Sequence, residues 1–172
     1  MPLNPGIAER RFERQDIINE DDEIFVEDEA TVLDTPWQTT MALIGRLLLA
    51  AIFLMSGIAK LTDTAGTVSH MTAVGIPYAD TLAIVAGVAE ILGAASLILG
   101  MFTRLGAFGL FLYMIPVTVL FHGFWNHEGP ERLTQMVNFM KNLAIMGGLA
   151  TLVGVGARRF SIDHRIRAAR AR

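Results

Sequence analysis

A chain of 172 residues that is 52% hydrophobic and only 18% charged has no room for a separate soluble catalytic domain once its apolar runs are set aside. The absence of cysteine excludes disulfide exchange, thiolate nucleophiles, iron–sulfur ligation and thiolate metal sites. The net charge of −3 conceals a division, because residues 1–36 carry eleven carboxylates against Arg10, Arg11 and Arg14, a net −8, and the remainder carries +5.

Residues 1–36 form an acidic leader with two apolar islands, Ile24-Phe25-Val26 and Val32-Leu33. So few apolar residues cannot offset the entropy of ordering, so the leader is expected to be disordered or to order on a partner protein. Arg10-Arg11-Phe12 is followed by acidic residues rather than an apolar run, which fails the context of a twin-arginine signal. The first spanning helix is expected to serve as its own insertion signal. Pro36-Trp37 closes the leader, with Trp37 placed as an interfacial anchor.

Four apolar runs follow, Met41–Leu61, Thr81–Gly100, Leu105–Phe121 and about Met136–Val155. Each is near the roughly 20 residues that a spanning helix needs. They predict an all-α integral membrane four-helix bundle over residues 37–157, followed by an arginine-rich tail, 158–172. A loop with Gly66, His70, Gly75 and Pro77 joins the first two helices. The short turn Met101-Phe102-Thr103-Arg104 forces an antiparallel hairpin, and Pro116 is expected to kink the third helix and free the Leu112 carbonyl. Gly129-Pro130 breaks the chain before a fourth helix beginning near Glu131. Arg104, Arg158, Arg159, Arg165, Arg167, Arg170 and Arg172 lie on one side, against Lys60 and Arg132, which predicts cytoplasmic N and C termini. In the tail, Ile162, Ile166 and Ala169 share a face ringed by arginines, as in a positive-inside anchor or a surface helix that binds anionic lipid.

Every run carries a charge or strong polar group: Arg46 and Lys60, Glu90, Arg104 and His122, then Asn138, Lys141 and Asn142. A charge at mid-bilayer costs about 2.5–3.5 kcal/mol, so such groups face a bundle interior. At about 1.5 Å per residue, Glu90 and Lys141 reach comparable depth. This predicts a Glu90–Lys141 pair with Asn142 beside it. Ala83, Gly87, Glu90 and Ala94 fall on one stripe, and small residues let helices approach. Gln135, Asn138 and Asn142 share a face. Arg46 and Lys60, fourteen residues apart, return close to one face, with Lys60 and His122 at one rim and Arg46 near the other.

Plainer roles are open to each: snorkelling for Lys60, charge anchors for Arg46 and Arg104, a helix cap for His122. A purely structural Glu90–Lys141 pair and interhelical asparagines complete that reading. His70 and His127 are assigned to loops and His164 to the tail, leaving His122 alone at a span, so no metal or haem site is expected. There is no phosphate-binding glycine loop either.

Gly45-Arg46-Leu47-Leu48, Ser56-Gly57-Ile58-Ala59-Lys60-Leu61, Val88-Ala89-Glu90 with Gly93, and Leu99-Gly100 with Thr103-Arg104 occur in that order. Phe121-His122-Gly123-Phe124-Trp125 and Phe139-Met140-Lys141-Asn142-Leu143 with Gly147-Gly148 follow. Over about residues 41–163 the chain resembles the DoxX family of small four-helix membrane proteins. The resemblance implies a bacterial inner-membrane subunit linked to a quinone oxidoreductase, notably for thiosulfate in archaea, or a partner of sulfur-transfer or superoxide-handling enzymes. It implies importance for Arg46, Lys60, Glu90, His122, Lys141 and Asn142.

The resulting expectation has Glu90, His122 and Lys141 as proton and quinone-site residues, with Arg46, Lys60, Asn138 and Asn142 holding the quinone. No covalent or metal-bound cofactor and no nucleic acid are expected. The apolar helix faces would hold the isoprenoid tail. Electrons would come from a partner protein that docks, in part, through residues 1–36. The alternatives are a structural or assembly subunit and, third, a small carrier.

Overall fold

The computed structural model describes residues 35–170, with the side chains of Arg167 and Arg170 outside that description. The expectations for residues 1–34 and for Arg172 lie outside it too. The chain divides into two units, Met1–Thr39 and Thr40–Arg172. In the first, the Thr39 N–H donates to the Thr35 carbonyl at 3.1 Å as a helix opens.

The described residues form helices α1 (Pro36–Thr62), α2 (Thr64–Ala73), α3 (Ala79–Leu99), α4 (Thr103–Phe121), α5 (Gly129–Val155) and α6 (Ile162–Arg170), with a 3-10 turn at Phe124–Asn126. α1, α3, α4 and α5 are long and apolar enough to cross a membrane. They coincide with the four apolar runs. α5 starts earlier than its apolar run because Pro130, lacking an N–H, fits the first helical turn at no cost. α4 continues through Pro116.

Four contacts close these helices into a ring. Gly57 of α1 lies against Gly87 of α3, Gly93 of α3 against Leu110 of α4, and Gly148 of α5 against Leu49 of α1. α4 packs along α5. All four contribute to one buried core, including Ala50 and Phe53, Ala94 and Leu97, Ala107 and Leu110, and Leu149 and Leu152. The large side chains Leu48, Met55, Leu92 and Leu105 point outward and are exposed, as suits helices solvated by lipid.

The Gly57–Gly87 crossing is backbone on backbone. A Cβ at Gly57 would lie 2.8 Å from the Gly87 carbonyl oxygen, and one at Gly87 2.8 Å from the Leu61 side chain. Gly57→Ala is expected to lower stability by about 1–3 kcal/mol, read as a fall in thermal midpoint in detergent. Gly147→Ala, whose Cβ meets nothing within 4 Å, should leave the midpoint near that of the wild type.

The stretch read as a loop between the first two spans contains α2. Asp63 caps it, its Oδ1 accepting from the Gly66 N–H at 3.0 Å. Met71 packs with Ala79, Ala83 and Ala86 of α3, with Val68 and Ile76 alongside. His70 therefore stands on a helix.

At the other end of the ring the chain after α5 is bonded to the bundle. Arg46 is buried and its Nη2 donates to the Phe160 carbonyl at 2.7 Å. The Asp163 carboxylate accepts from the Phe102 and Thr103 N–H groups at 2.9 and 3.0 Å, capping α4. Its own N–H donates to the Gly100 carbonyl at 2.9 Å. Phe102, left-handed at φ 52°, occupies the tightest point of the α3–α4 turn. Arg104 Nη2 donates to the Gly154 carbonyl at 3.1 Å, completing the last turn of α5.

Candidate functional site

The α1–α3 crossing decides where Lys60 can reach. Helical Cα–Cβ bonds tilt toward the N-terminus, so Lys60, two residues from the end of α1, extends back along its own helix. Its Nζ donates to Ser56 Oγ at 2.6 Å and to Glu90 Oε2 at 3.0 Å. Lys60 thus turns inward rather than snorkelling. Ser56 and Gly57 prepare the pair, one by accepting a hydrogen bond and the other by letting α3 approach.

Glu90 lies on the buried stripe of α3 with Ala83, Gly87 and Ala94, as the small-residue spacing indicated. Its side chain is 4% exposed and that of Lys60 22%, so the carboxylate is the more deeply embedded partner. The expected Glu90–Lys141 pair does not form. The inward face of α5 runs through Gln135, Asn138, Asn142, Ile145, Leu149 and Leu152, whereas Lys141 is exposed. It lies about 100° around the helix from Asn142. Depth along a helix carries no direction around it, and Lys141 stands off the inward face.

Lys60 and Glu90 border a cavity of about 550 Å³, within the range of about 300–1,000 Å³ typical of small-molecule sites. Along α1 its wall extends from Lys60 to Ile52, about 12 Å at about 1.5 Å per residue, with Asp63 just beyond the helix end. Gly66, Thr67, His70 and Met71 of α2 cover one side. Tyr113 and Phe121 of α4, His122 and Asn142 complete the wall. Tyr113 sits in electrostatic contact with the Glu90 carboxylate. His70 stacks on Phe121 with centroids 5.1 Å apart.

His122 Nδ1 lies 2.9 Å from Gln135 Oε1. This contact pairs one ring nitrogen with the Gln135 amide and leaves Nε2 as the second polar atom of the ring. Gln135→Leu is expected to release the ring and change its tautomer population, read as altered imidazole ¹⁵N shifts. Just beyond, Phe124, Trp125 and Phe139 pack edge to face at 5.3–5.8 Å.

Of the residues singled out in the sequence, the structure brings Lys60, Glu90, His122 and Asn142 to one cavity. Asn138 is half-buried one turn from Asn142 on the same face, Lys141 faces outward, and Arg46 lies at the opposite end. Ser56, His70 and Tyr113 were not anticipated. Ser56 was legible as the i−4 neighbour of Lys60, and His70 from the Asp63 cap that starts α2. Nothing local marks Tyr113.

This arrangement offers an ion pair, an imidazole, a phenol and an amide around a space large enough for a ring-sized ligand. It can donate hydrogen bonds to carbonyl oxygens and move protons among neighbouring groups.

A family model described as DoxX matches residues 41–123, a range that includes Lys60, Glu90 and His122. The chain is similar to the inner membrane protein YphA of Escherichia coli, 34% identical over 125 residues that cover 73% of this chain and 89% of the relative. It is also 34% identical to the inner membrane protein YqjF of the same organism over 122 residues, 70% of this chain and 88% of the relative. An uncharacterized membrane protein of Mycobacterium tuberculosis is 30% identical over 136 residues, 70% of this chain and 78% of the relative. No solved structure matches the chain.

Proposed function

Because this chain belongs to the DoxX family and is a multi-pass protein of the bacterial inner membrane, we propose that it is the membrane subunit of a quinone-linked oxidoreductase. The observation that carries this reading is the Lys60–Glu90 pair in the wall of a cavity set within membrane-spanning helices. A buried pair adds little stability compared with apolar residues of the same volume. Its presence beside His122, Tyr113 and Asn142 supports a binding role.

A quinone head is neutral, flat and ringed by carbonyl acceptors. The Lys60 ammonium has three protons, of which Ser56 and Glu90 engage two; the third is available to a quinone carbonyl. Asn142 and the His122 ring can hold the opposite oxygen. When the quinone takes up two electrons it also takes up two protons. Glu90, Tyr113 and His122 form the local relay that delivers them. The electrons come from a partner protein with its own flavin, haem or iron–sulfur centre.

Orientation follows from the arginines. Arg104, Arg158, Arg159 and Arg165 stand at the Arg46 end, and Lys60 at the other end is engaged by Glu90. That asymmetry supports a cytoplasmic Arg46 end, with the cavity toward the opposite leaflet. The exposed Phe160 and Ile166 beside Arg165 suit contact with anionic lipid headgroups.

Equilibrium dialysis of a short-chain ubiquinone against the purified protein in mild detergent tests the reading. Binding in the micromolar range is expected, weakened about tenfold or more by Glu90→Gln. Binding only at millimolar concentration, indifferent to Glu90, would refute it. An assembly role is favoured in that case if the chain purifies within a complex whose electron path is complete without it.

A further inference from the structure

A second concavity lies between α3 and α4. It is a groove of about 450 Å³ whose walls are almost wholly apolar, including Leu92, Leu99, Phe102 and Leu105. Tyr113 belongs to the wall of both spaces, the polar cavity and the groove.

The glycines explain how the groove persists. α3 and α4 meet closely where a Cβ on Gly93 would strike Leu110 at 2.6 Å and one on Gly106 would strike Ser96. These two glycines are consumed by packing. Gly109, also in the groove wall, is different: a Cβ there meets nothing within 4 Å. It contributes open space on a helix whose other outward residues are large, such as Leu105, Phe108 and Leu112.

Depth argues for the occupant. Glu90 stands eleven residues into α3, about 16 Å from its start, near the middle of a hydrocarbon core about 30 Å thick. From Tyr113 the groove descends to Leu105, about 12 Å along α4, toward the Arg46 end. A ligand spanning both spaces has its polar head near mid-membrane. A phospholipid cannot place its charged headgroup there without a large desolvation cost. A neutral ring with a long apolar chain can.

Resting on the quinone reading above, we propose that the ligand is a long-chain quinone bound in two parts. Its ring lies against Lys60 and Glu90, and its polyisoprenoid tail passes Tyr113 into the α3–α4 groove. The groove is then a tail subsite, and Gly109 is the residue that keeps it open.

Gly109→Leu puts a side chain into the groove wall from a position where its Cβ meets no neighbour within 4 Å. The wild type and this variant are reconstituted in nanodiscs and titrated with a quinone bearing one isoprene unit and with one bearing a long polyisoprenoid chain. The expected result is a long-chain Kd raised about tenfold or more in the variant, with the short-chain Kd unchanged. Leu92→Trp, which also narrows the groove from an exposed position, should reproduce the pattern and serves if Gly109→Leu does not fold. Equal effects on both quinones, or none on either, would overturn the tail subsite while leaving the head site standing. So would a phospholipid retained by the wild type and displaced by Gly109→Leu with quinone binding unaltered. Failure of the wild type to bind either quinone would instead refute the reading on which the subsite rests.

Discussion

Glu90→Gln is expected to destabilise the folded protein by about 3 kcal/mol, and adding Lys60→Met should restore most of the loss. Removing one member of a buried pair costs about 3–5 kcal/mol, because the remaining charge is left without compensation. The lower end applies because the Lys60 side chain retains 22% exposure and can recruit water. In the double variant neither charge remains, and the methionine chain can occupy the path of the lysine beside Ser56. A double-mutant cycle on thermal unfolding in detergent reads this directly. A coupling energy below about 0.5 kcal/mol would show that the 3.0 Å contact does not hold the two helices. The cycle also separates structure from function, since the double variant should be stable and yet lack the groups assigned to the quinone.

The second large effect is expected at Asp163. Its carboxylate holds two N–H groups at the start of α4, and Thr103, which owns one of them, is fully buried. Charge-assisted bonds at a helix N-terminus are worth about 1–2 kcal/mol through capping and the helix dipole. Asp163→Ala should therefore cost about 2 kcal/mol. It should also loosen the chain beyond Ala157, which keeps the Asp163 N–H bond to the Gly100 carbonyl and the Arg46–Phe160 bond. Limited proteolysis is expected to cut at Arg158–Arg165 in the variant well before the wild type, while the spanning helices stay intact. Asp163→Asn, which can accept only one of the two bonds, should fall between them. Equal cleavage rates would show that the capping bonds do not fasten this segment.

These two clusters mark how far the sequence could be read. The four spans were legible because each is a long local run whose hydropathy needs no partner to interpret. The Ala83–Gly87–Glu90–Ala94 stripe followed from the 3.6-residue period. The partner of Glu90 did not, since depth is a property of one helix and azimuth depends on how two helices meet. Gly57 and Gly87 fix that meeting, and a glycine pair thirty residues apart carries no signature of contact. Arg46 was grouped with Lys60 because fourteen residues return to one face, yet the same spacing separates them by about 21 Å along the axis. The Asp163 cap lies 60 residues from Thr103 and has no local signal. α2 was the nearer miss: Asp63, Val68 and Met71 stand at cap and core spacing, but the segment is short and was read through its glycines.

The most direct test of the account is the quinone content of protein purified from native membranes in mild detergent, comparing the wild type with the Lys60→Met/Glu90→Gln double variant. The double variant is chosen because it should fold. About one quinone per wild-type chain is expected, and a content lower by about tenfold or more in the variant. Equal quinone in both, or none with the wild type, would contradict it.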